Sequence, residues 1–440
     1  MKRSSKTFYL KESESFKNNL LFWAQQYQEI FWFESNSEIQ GNKDGYTAFD
    51  GILAVGAQEA ISCDSKQAFD TLKTFLSEQN DFAFGCFSYD LKNDIEALTS
   101  ENPDHIKWED LYFIQPKKIF FLKGNRVDLL YLNLYSDEME EDFRAIEKFD
   151  PKITLKQEGI RIKKRITKPN YFSKIDRILY HIHRGDIYEM NFCMEFYAEN
   201  ILIEPLAVYQ KLNRITGSPF ATFLKVQDKY LLSGSPERFV KKMGNKVISQ
   251  PIKGTARRSE NTGEDELIKN KLASDPKERS ENIMIVDLVR NDLSKTAVKG
   301  SVKVEELCGA YTFKQVHQLI STVVSEVAPD TNAVDIIKSL FPMGSMTGAP
   351  KISAMEIIEE LEETKRGLYS GAVGYFTPEG DFDFNVVIRS ILYNESNRYV
   401  SFSVGGAITA LSTAENEYRE CLLKAGAMKM ALQNKLADKF

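Results

Sequence analysis

A single lysine, Lys253, stands between Pro251 and Gly254 in a short segment that follows two predicted strands. Residues 229–240 predict a strand, a turn and a second strand, and residues 246–250 bring the chain back. Proline and glycine restrict the backbone on either side of one amine. A solvated side chain is the commoner outcome for an isolated lysine. The alternative is an amine directed at a bound electrophile and made easier to deprotonate by the two arginines that follow.

Five glutamates could supply acid and metal chemistry. Glu237 precedes the lysine segment, while Glu278 and Glu281 lie three apart on a predicted helix and therefore share one face. Glu417 and Glu420 repeat this spacing near the C-terminus. Each pair alone is an ordinary complement to a helix dipole. Two such pairs facing each other would repel unless a cation lay between them, and carboxylates in a chain with only 4 histidines suit Mg²⁺ better than zinc or iron.

Arg389 lies in a predicted apolar strand over residues 384–393, where a guanidinium needs an anion. A structural carboxylate and a ligand carboxylate are equally consistent with a single arginine. The pair Gly405 and Gly406 ends the next predicted strand and would let a ligand approach the backbone closely.

Residues 341–351 form a glycine-rich turn into a predicted helix. The spacing differs from that of a P-loop, and Pro350 removes a backbone N–H that a phosphate cradle would use. A nucleotide site is therefore disfavoured. A carboxylate site at the helix N-terminus, beside Lys351, remains consistent with the pattern.

Composition excludes several classes of protein. A net charge of −6 over 440 residues argues against a nucleic-acid binder, and the length suggests two or three domains or one large unit. The 5 cysteines are scattered and form no Cys-x-x-Cys pair, which favours a reducing compartment. The sequence has neither a signal-peptide pattern nor an apolar run long enough to span a membrane, so we predict a cytoplasmic protein.

The elements that must position these residues fall into two segments. Residues 1–155 predict an α+β region without catalytic spacing, and a basic connection at 150–166 leads to the second half. Residues 188–196 alternate strictly, with apolar side chains on one face and Glu189 and Asn191 on the other. Such a strand borders either solvent or a polar cavity, and the pattern leaves both open.

Seven motifs occur in one order, and together they resemble the chorismate-utilising enzymes. They lie at residues 185–191, 235–237, 251–255, 279–292, 344–351, 370–375 and 418–420. The resemblance implies an α+β fold, a layered α/β/β/α sandwich of large antiparallel sheets with outer helices. It also implies an N-terminal region at 1–155 and a chorismate-binding catalytic domain at 165–432, interleaved in one unit.

The resemblance also implies a reaction. Members of the family that aminate chorismate at C4 carry Pro-Ile-Lys-Gly-Thr, whereas those that form anthranilate typically have alanine at the lysine position. Lys253 therefore implies formation of 4-amino-4-deoxychorismate, a precursor of p-aminobenzoate and folate, with anthranilate formation as the alternative. Glu189 stands where the aminating relatives usually have glutamine.

Roles for individual residues follow from the same resemblance. Lys253 is expected to be the nucleophile and Glu237 the general acid. Mg²⁺ is expected at Glu281 and Glu420, assisted by Glu278 and Glu417. The expected substrate-binding residues are Thr255, His317, Thr347, Gly348, Lys351, Tyr375, Arg389, Gly405 and Gly406. For His317 a core histidine is nearly as common an outcome.

Ammonia is expected from a separate glutamine amidotransferase subunit, which would make the pair an amidotransferring enzyme. Cys86 follows Gly85 but lacks the second glycine of the amidotransferase elbow and lies in an aromatic strand. Aminating relatives can also bind tryptophan in the N-terminal region, and residues 34–35 and 218–220 lie where that pocket would form.

Overall fold

The computed structural model describes residues 2–36, 46–149, 160–314 and 316–433, so most of the predicted connection at 150–166 lies outside the described residues. The strands are β1 Arg3–Tyr9, β2 Glu29–Glu34, β3 Gly51–Cys63, β4 Ala83–Phe87, β5 Leu111–Lys123, β6 Arg126–Leu132, β7 Lys163–Lys164, β8 Glu189–Glu199, β9 Phe220–Val226, β10 Lys229–Ser235, β11 Arg238–Met243, β12 Lys246–Gln250, β13 Ile252–Arg257, β14 Lys303–Thr312, β15 Val316–Glu326, β16 Gly348–Ala349, β17 Ala372–Phe376, β18 Phe382–Val386, β19 Ser390–Asn394 and β20 Tyr399–Ile408. The α-helices are α1 Ser13–Ala24, α2 Ala68–Gln79, α3 Lys92–Ile95, α4 Met139–Glu147, α5 Lys168–Arg184, α6 Pro205–Thr216, α7 Thr262–Ser274, α8 Pro276–Ser294, α9 Ala333–Leu340, α10 Lys351–Leu361, α11 Ala414–Lys424 and α12 Gly426–Leu432. Among the described residues, none of these helices is long and apolar enough to cross a membrane.

The strands join into one hydrogen-bonded network in which the registered pairs are antiparallel. Strands of the first 155 residues pair with later ones, since β2 pairs with β9 and β4 with β17. The predicted α+β fold, with large antiparallel sheets and helices packed outside, is confirmed. The division at residues 155 and 165 stays a prediction, and these pairings show strands of both segments sharing one network.

Two hydrophobic cores lie on opposite faces of the strands. In β2, Ile30 and Trp32 enter one core while Phe31 and Phe33 enter the other, as alternation requires. Helices α1, α5 and α6 pack on the first core, and α2, α8 and α9 pack on the second. The sheets are thus covered by helices on both sides, and this framework fixes the strand ends that carry the site.

The alternating strand predicted at 188–196 is β8. Its apolar residues, Met190 to Phe196, enter the first core. Glu189 and Asn191 are only 2% and 6% exposed, which excludes the solvent alternative for their face. The polar face of β8 is therefore turned toward the protein interior.

Candidate active site

A cavity of about 640 Å³ opens between β13, β20, α8 and α11. Ten residues predicted for the site line it: Glu237, Lys253, Thr255, Glu278, Glu281, Arg389, Gly405, Gly406, Glu417 and Glu420. Asn191 on β8 also lines this cavity, so the polar face of that strand borders it. Residues separated by more than 200 positions in sequence are thus brought to one polar chamber.

Lys253 lies in a β-bulge. Between β13 and β15 the pairs are Ile252 with Ile320 and Thr255 with Gln318, so β13 carries one residue more than its partner. Gly254 takes the left-handed conformation, with φ +90°, and this permits the bulge. A bulge re-aims a side chain, and Lys253 lines the cavity without an ion pair within 4.0 Å in the part of the chain that the structure describes.

Glu237 lies in the turn between β10 and β11 and is only 5% exposed. Its Oε1 accepts a 2.7 Å hydrogen bond from Ser345 Oγ, and its carbonyl accepts one from the Val386 amide. Burial raises the pKa of Glu237 to about 7, although the serine and the charge of Lys253 act in the opposite direction. A carboxylic acid with such a pKa is suited to donate a proton near neutral pH.

The two glutamate pairs face the same cavity from different helices. Asp275 caps α8 by accepting hydrogen bonds from the amides of Lys277 and Glu278, as the sequence predicts for an Asp-Pro start. Burial raises the pKa of Glu278 to about 7, and the charges of Glu281 and Glu420 add to this shift. The carboxylates of α8 and α11 therefore lie close enough to repel each other.

Asn282 anchors α8 to the lysine bulge. Its Nδ2 donates hydrogen bonds to the carbonyls of Lys253 and Leu319, at 3.4 and 3.3 Å, and its Oδ1 accepts one from Ser321 at 2.5 Å. These bonds fix the helix beside the strand, so the carboxylate of Glu281 and the amine of Lys253 belong to one rigid arrangement.

Two lysines that sequence reasoning missed lie among these carboxylates. Lys424 forms an ion pair with Glu420 at 2.6 Å and donates to the Gly405 carbonyl at 2.9 Å. Lys277 lies 3.7 Å from Glu281. The charge of Lys424 lowers the pKa of Glu420, whereas burial raises that of Glu281. The spacing of Lys424 four residues after Glu420 was the signal available in the sequence.

The residues present fit Mg²⁺ by donor type and by charge. Carboxylate oxygens are hard ligands, and the mutual repulsion of the four glutamates persists despite the neighbouring lysines. Within the described ranges, no three His, Cys, Asp or Glu side chains converge tightly enough to hold an ion as they stand. The two lysines would therefore compete with a metal for Glu281 and Glu420.

Arg389 supplies an anion site. The prediction of one continuous strand over residues 384–393 is wrong. The chain forms two strands there, β18 and β19, and Arg389 lies between them with a φ of +52°. The left-handed conformation turns the chain there and brings the side chain to the cavity. Among the described residues the guanidinium of Arg389 has no ion-pair partner, so a ligand carboxylate can take that place.

Gly405 and Gly406 allow β20 to lie close to strand β8 and to helix α11. A Cβ at Gly405 would lie 2.5 Å from Cys193 Sγ, and one at Gly406 would lie 3.3 Å from Glu417 Oε2. The first glycine is required by packing against β8. The second leaves room beside the acidic residues of α11.

Five predicted substrate-binding residues lie outside the cavity lining: His317, Thr347, Gly348, Lys351 and Tyr375. Lys351 is bound to Asp292 at 2.7 Å, so its charge is already satisfied. His317 is 1% exposed and has Asp265 at 2.9 Å and Thr312 at 3.1 Å from its two ring nitrogens, the arrangement of a core histidine.

The other three of these residues have structural surroundings as well. Thr347 is fully buried, and its carbonyl accepts a 2.7 Å hydrogen bond from the Asn191 amide. A Cβ at Gly348 would lie 2.3 Å from the Glu189 carbonyl, so glycine permits the crossing of β16 and β8. Tyr375 packs against Phe33, Phe49 and Phe84.

A much smaller cavity, about 30 Å³, lies where the tryptophan pocket was predicted. Glu34, Ser35, Pro219, Phe220 and Tyr375 are among the residues that line it. A volume of this size holds one or two water molecules. An indole would require the wall to open.

Comparisons with known proteins identify relatives of this chain along most of its length. A family model described as chorismate binding enzyme matches residues 8–430. Aminodeoxychorismate synthase component 1 of Bacillus subtilis is 33% identical over 96% of this chain and 95% of its own length. Its namesake in Escherichia coli is 34% identical over 80% of this chain and 77% of its own length.

Solved structures agree on the fold. Anthranilate synthase component I from Streptococcus pneumoniae superposes with a TM-score of 0.76 at 25% identity, over 89% of this chain and 96% of that one. The menaquinone-specific isochorismate synthase of Escherichia coli superposes with a TM-score of 0.78 at 16% identity, over 98% and 94%.

Proposed function

The chain belongs to the family of chorismate binding enzymes, and we propose that it converts chorismate and ammonia to 4-amino-4-deoxychorismate. The observation that carries this proposal is the position of Lys253, whose amine lines the same cavity as Glu237 and Arg389. Relatives named aminodeoxychorismate synthase component 1 that align over most of the chain support it.

Chorismate presents two carboxylates and a hydroxyl at ring carbon C4. Arg389, whose side chain lines the cavity, would bind one carboxylate, and Thr255 with the backbone at Gly405 and Gly406 would line the rest of the pocket. Charge-assisted hydrogen bonds of this kind fix orientation as well as affinity. Orientation is what places C2 and C4 between the lysine and the acid.

The residues then divide the chemistry. Lys253 adds to C2 while Glu237 gives its proton to the hydroxyl leaving C4. Ammonia attacks C4 and expels the lysine, which yields the product. The pKa of Glu237, raised by burial to about 7, keeps that proton available near neutral pH.

Mg²⁺ would be held by Glu281 and Glu420, with Glu278 and Glu417 as outer or water-mediated partners. Bound there, the ion would neutralise the substrate's ring carboxylate. The surplus of negative charge in the site supports this, because burial and the acidic neighbours together raise the pKa of Glu278 to about 7. Ion binding would release Lys277 and Lys424 from their carboxylates.

Anthranilate formation is the alternative, since a solved anthranilate synthase component I shares the fold. One assay separates the two. The protein is incubated with chorismate, Mg²⁺ and ammonium, and aminodeoxychorismate lyase is then added. We expect p-aminobenzoate, and fluorescent anthranilate in its place would refute the proposal.

A separate glutamine amidotransferase would deliver the ammonia, making the pair an amidotransferring enzyme. Component 1 in the relatives' names implies a second component. Cys86, in the segment nearest to an amidotransferase elbow, is fully buried, and burial raises the pKa of its thiol to about 12. Such a thiol cannot serve as the nucleophile for glutamine.

We also propose a cytoplasmic location and a tryptophan site. Five free cysteines support a reducing compartment such as the cytoplasm. Tryptophan binding at the 30 Å³ cavity near Glu34 would need the wall to open, and calorimetric titration with tryptophan tests it.

A further inference from the structure

Arg366 and Glu362 form an ion pair in the protein interior, just after α10. Two nitrogens of the guanidinium, Nε and Nη2, donate to the two carboxylate oxygens at 2.8 and 2.7 Å. Arg366 and Glu362 are only 7% and 6% exposed. Burying two charges costs desolvation free energy, and apolar side chains of similar volume often stabilise a fold as well or better. The presence of both charges here therefore calls for a role besides stability.

The ion pair binds backbone groups of two separate segments. Nη1 of Arg366 donates to the Met346 carbonyl at 2.7 Å, and Nη2 donates to the Asn191 carbonyl at 2.9 Å. The carboxylate of the pair accepts a hydrogen bond from the amide of Cys193 at 2.9 Å. Asn191 and Cys193 belong to β8, whereas Met346 ends the 3₁₀ turn Gly344–Met346. The pair therefore fastens this turn to a strand inside the sheet.

The fastened turn carries Ser345, which lines the chamber. A 3₁₀ turn of three residues has few internal hydrogen bonds, and its last carbonyls need partners from elsewhere in the protein. Arg366 supplies that partner for the Met346 carbonyl. The position of the Ser345 hydroxyl therefore depends on a guanidinium 21 positions later in sequence.

Ser345 connects the turn to the proposed general acid, because its Oγ donates a 2.7 Å hydrogen bond to Glu237 Oε1. Few charged groups face Glu237 besides. Lys253 on β13 favours its ionised form. Arg238, the next residue, is bound to a carboxylate of β18, and Asp292 of α8, which lines a cavity of about 20 Å³ together with Glu237, is bound to a lysine of α10. The serine is thus the neutral group that directly holds the carboxyl group.

We propose that Arg366, held by Glu362, is a positioning residue for the general acid, an inference that rests on the proposed function. Arg366 fixes the turn so that the Ser345 hydroxyl reaches Glu237, and this bond aims the carboxyl group at the hydroxyl that leaves C4. Arg366 is not among the residues that line the chamber, so its effect on the reaction passes through the turn.

The test is Arg366→Lys, which keeps the charge but cannot reach the carboxylate and both carbonyls at once. We expect kcat for aminodeoxychorismate formation to fall about tenfold and KM for chorismate to change by less than about twofold, because the acid is misplaced while Arg389 is not. The pH limb of kcat/KM that reports Glu237 should move up by about one pH unit, since the carboxylate loses a hydrogen bond that favours its ionised form. An unmoved limb would overturn the inference.

A double variant separates positioning from a general loss of structure. In Ser345→Ala the hydrogen bond to Glu237 is already absent. Adding Arg366→Lys to Ser345→Ala should therefore leave the pH limb where the serine variant has it and change kcat by less than about twofold. Effects of the two substitutions that add in full would show that Arg366 acts independently of the serine, and would overturn the inference.

The matched control is Arg3→Lys. The guanidinium of Arg3 is also bound to a carboxylate, that of Asp81 at 2.7 Å, and to two backbone carbonyls, those of Pro116 and Leu130. Arg3, Pro116 and Leu130 lie in β1, β5 and β6, and no residue of these strands belongs to the described lining of the chamber. Arg3→Lys should lower Tm about as much as Arg366→Lys and keep the wild-type kcat and pH limb. A limb displaced in both variants would assign the effect to lost stability and overturn the inference.

A second variant serves if Arg366→Lys fails to fold. Arg366→Met combined with Glu362→Leu replaces the two buried charges by apolar side chains, an exchange that folded proteins commonly tolerate. This protein also lacks the bond to the Met346 carbonyl, so we expect the same displacement of the pH limb. A limb at the wild-type position would overturn the inference here too.

One readout needs no turnover and separates the inference from the proposed function. Infrared titration follows the carboxyl group of Glu237, whose band is identified by its absence in Glu237→Gln. The pKa of Glu237 should be higher in Arg366→Lys than in wild type, and an equal pKa would overturn the inference whatever the product. If wild-type protein forms anthranilate or no product from chorismate, the proposed function fails, and the titration still decides whether Arg366 positions Glu237.

Discussion

Glu237 and Ser345 lie 108 positions apart in sequence and are joined by a 2.7 Å hydrogen bond from the serine hydroxyl to the carboxylate. The bond links the turn before β11 to the short 3₁₀ turn Gly344–Met346. It opposes burial, because a donated hydrogen bond favours the ionised carboxylate while burial raises the pKa of Glu237 to about 7. The serine therefore sets how acidic the proposed proton donor is.

The pH dependence of turnover should report this acid. Because Glu237 acts in its protonated form, kcat/KM should fall as pH rises through about 7. In Ser345→Ala the loss of the hydrogen bond should raise the pKa of Glu237 further and move this limb to higher pH. Ser339→Ala, which removes a hydroxyl bonded only within α9, is the control and should not move it. A limb that stays in place in Ser345→Ala would contradict the assignment.

Stability should depend on the same group. The folded pKa of Glu237 is raised by burial from 4.5 to about 7, so the native state binds this proton more tightly than the unfolded state. The stabilisation from the bound proton is complete below the unfolded pKa and is lost as pH rises through about 7. The free energy of unfolding of Glu237→Gln should therefore exceed that of wild type by about 1–3 kcal/mol at pH 8, and the two should differ little at pH 5. Urea unfolding at the two pH values measures this, and a larger gain at pH 5 would reverse the sign and refute it.

Arg389 should govern substrate affinity. Removing a guanidinium that makes two charge-assisted hydrogen bonds costs about 2–4 kcal/mol, so Arg389→Met should raise KM for chorismate about a hundredfold, with a smaller effect on kcat. Arg389→Lys should fall between, since lysine cannot form the bidentate pair. Arg398→Ala is the control, because Arg398 also has a positive φ of 49° but lies exposed in a turn. An unchanged KM in Arg389→Met would remove this residue from the site.

Mg²⁺ should stabilise the protein through the two glutamate pairs. An ion that binds only the native state at a hundred times its Kd adds about 2.7 kcal/mol and raises Tm. The rise in Tm on adding Mg²⁺ should be larger at pH 8 than at pH 6. Burial raises the pKa of Glu278 to about 7, and this side chain must lose its proton before it can assist in binding the ion. Glu281→Gln or Glu420→Gln should abolish the rise. Glu415 lies on α11 with Glu420 but is paired with Lys168, so Glu415→Gln should retain the rise in Tm. If this variant also lost the rise, the effect of Mg²⁺ would be non-specific.

Much of the site was predictable because its signals are local. The proline and glycine around Lys253, the Asp-Pro cap of α8 and the polar face of β8 all follow from neighbouring residues, and each agrees with the structure. The partners of Ser345, His317 and Lys351 were not predictable, since these contacts join elements 108, 52 and 59 positions apart. Lys351 illustrates this limit. From sequence, a lysine at the start of a helix is predicted to bind a ligand carboxylate, but in the structure it forms an ion pair with Asp292.

The backbone at Arg389 shows a second limit. An apolar run with one arginine predicts a continuous strand, and nothing local marks the left-handed residue that divides β18 from β19. That conformation is fixed by the surrounding sheet, where the Gly234 amide donates to the Arg389 carbonyl at 3.1 Å. The sequence indicates an anion-binding arginine, but it does not predict that the side chain of Arg389 reaches the cavity.

The most direct measurement compares the products of wild type and Lys253→Ala from chorismate, Mg²⁺ and ammonium, separated and identified by chromatography with mass spectrometry. We predict that wild type forms 4-amino-4-deoxychorismate, and that the folded variant forms it at least about a hundredfold more slowly because the nucleophile is gone. Anthranilate as the wild-type product, or undiminished aminodeoxychorismate formation by Lys253→Ala, would contradict the role given to Lys253.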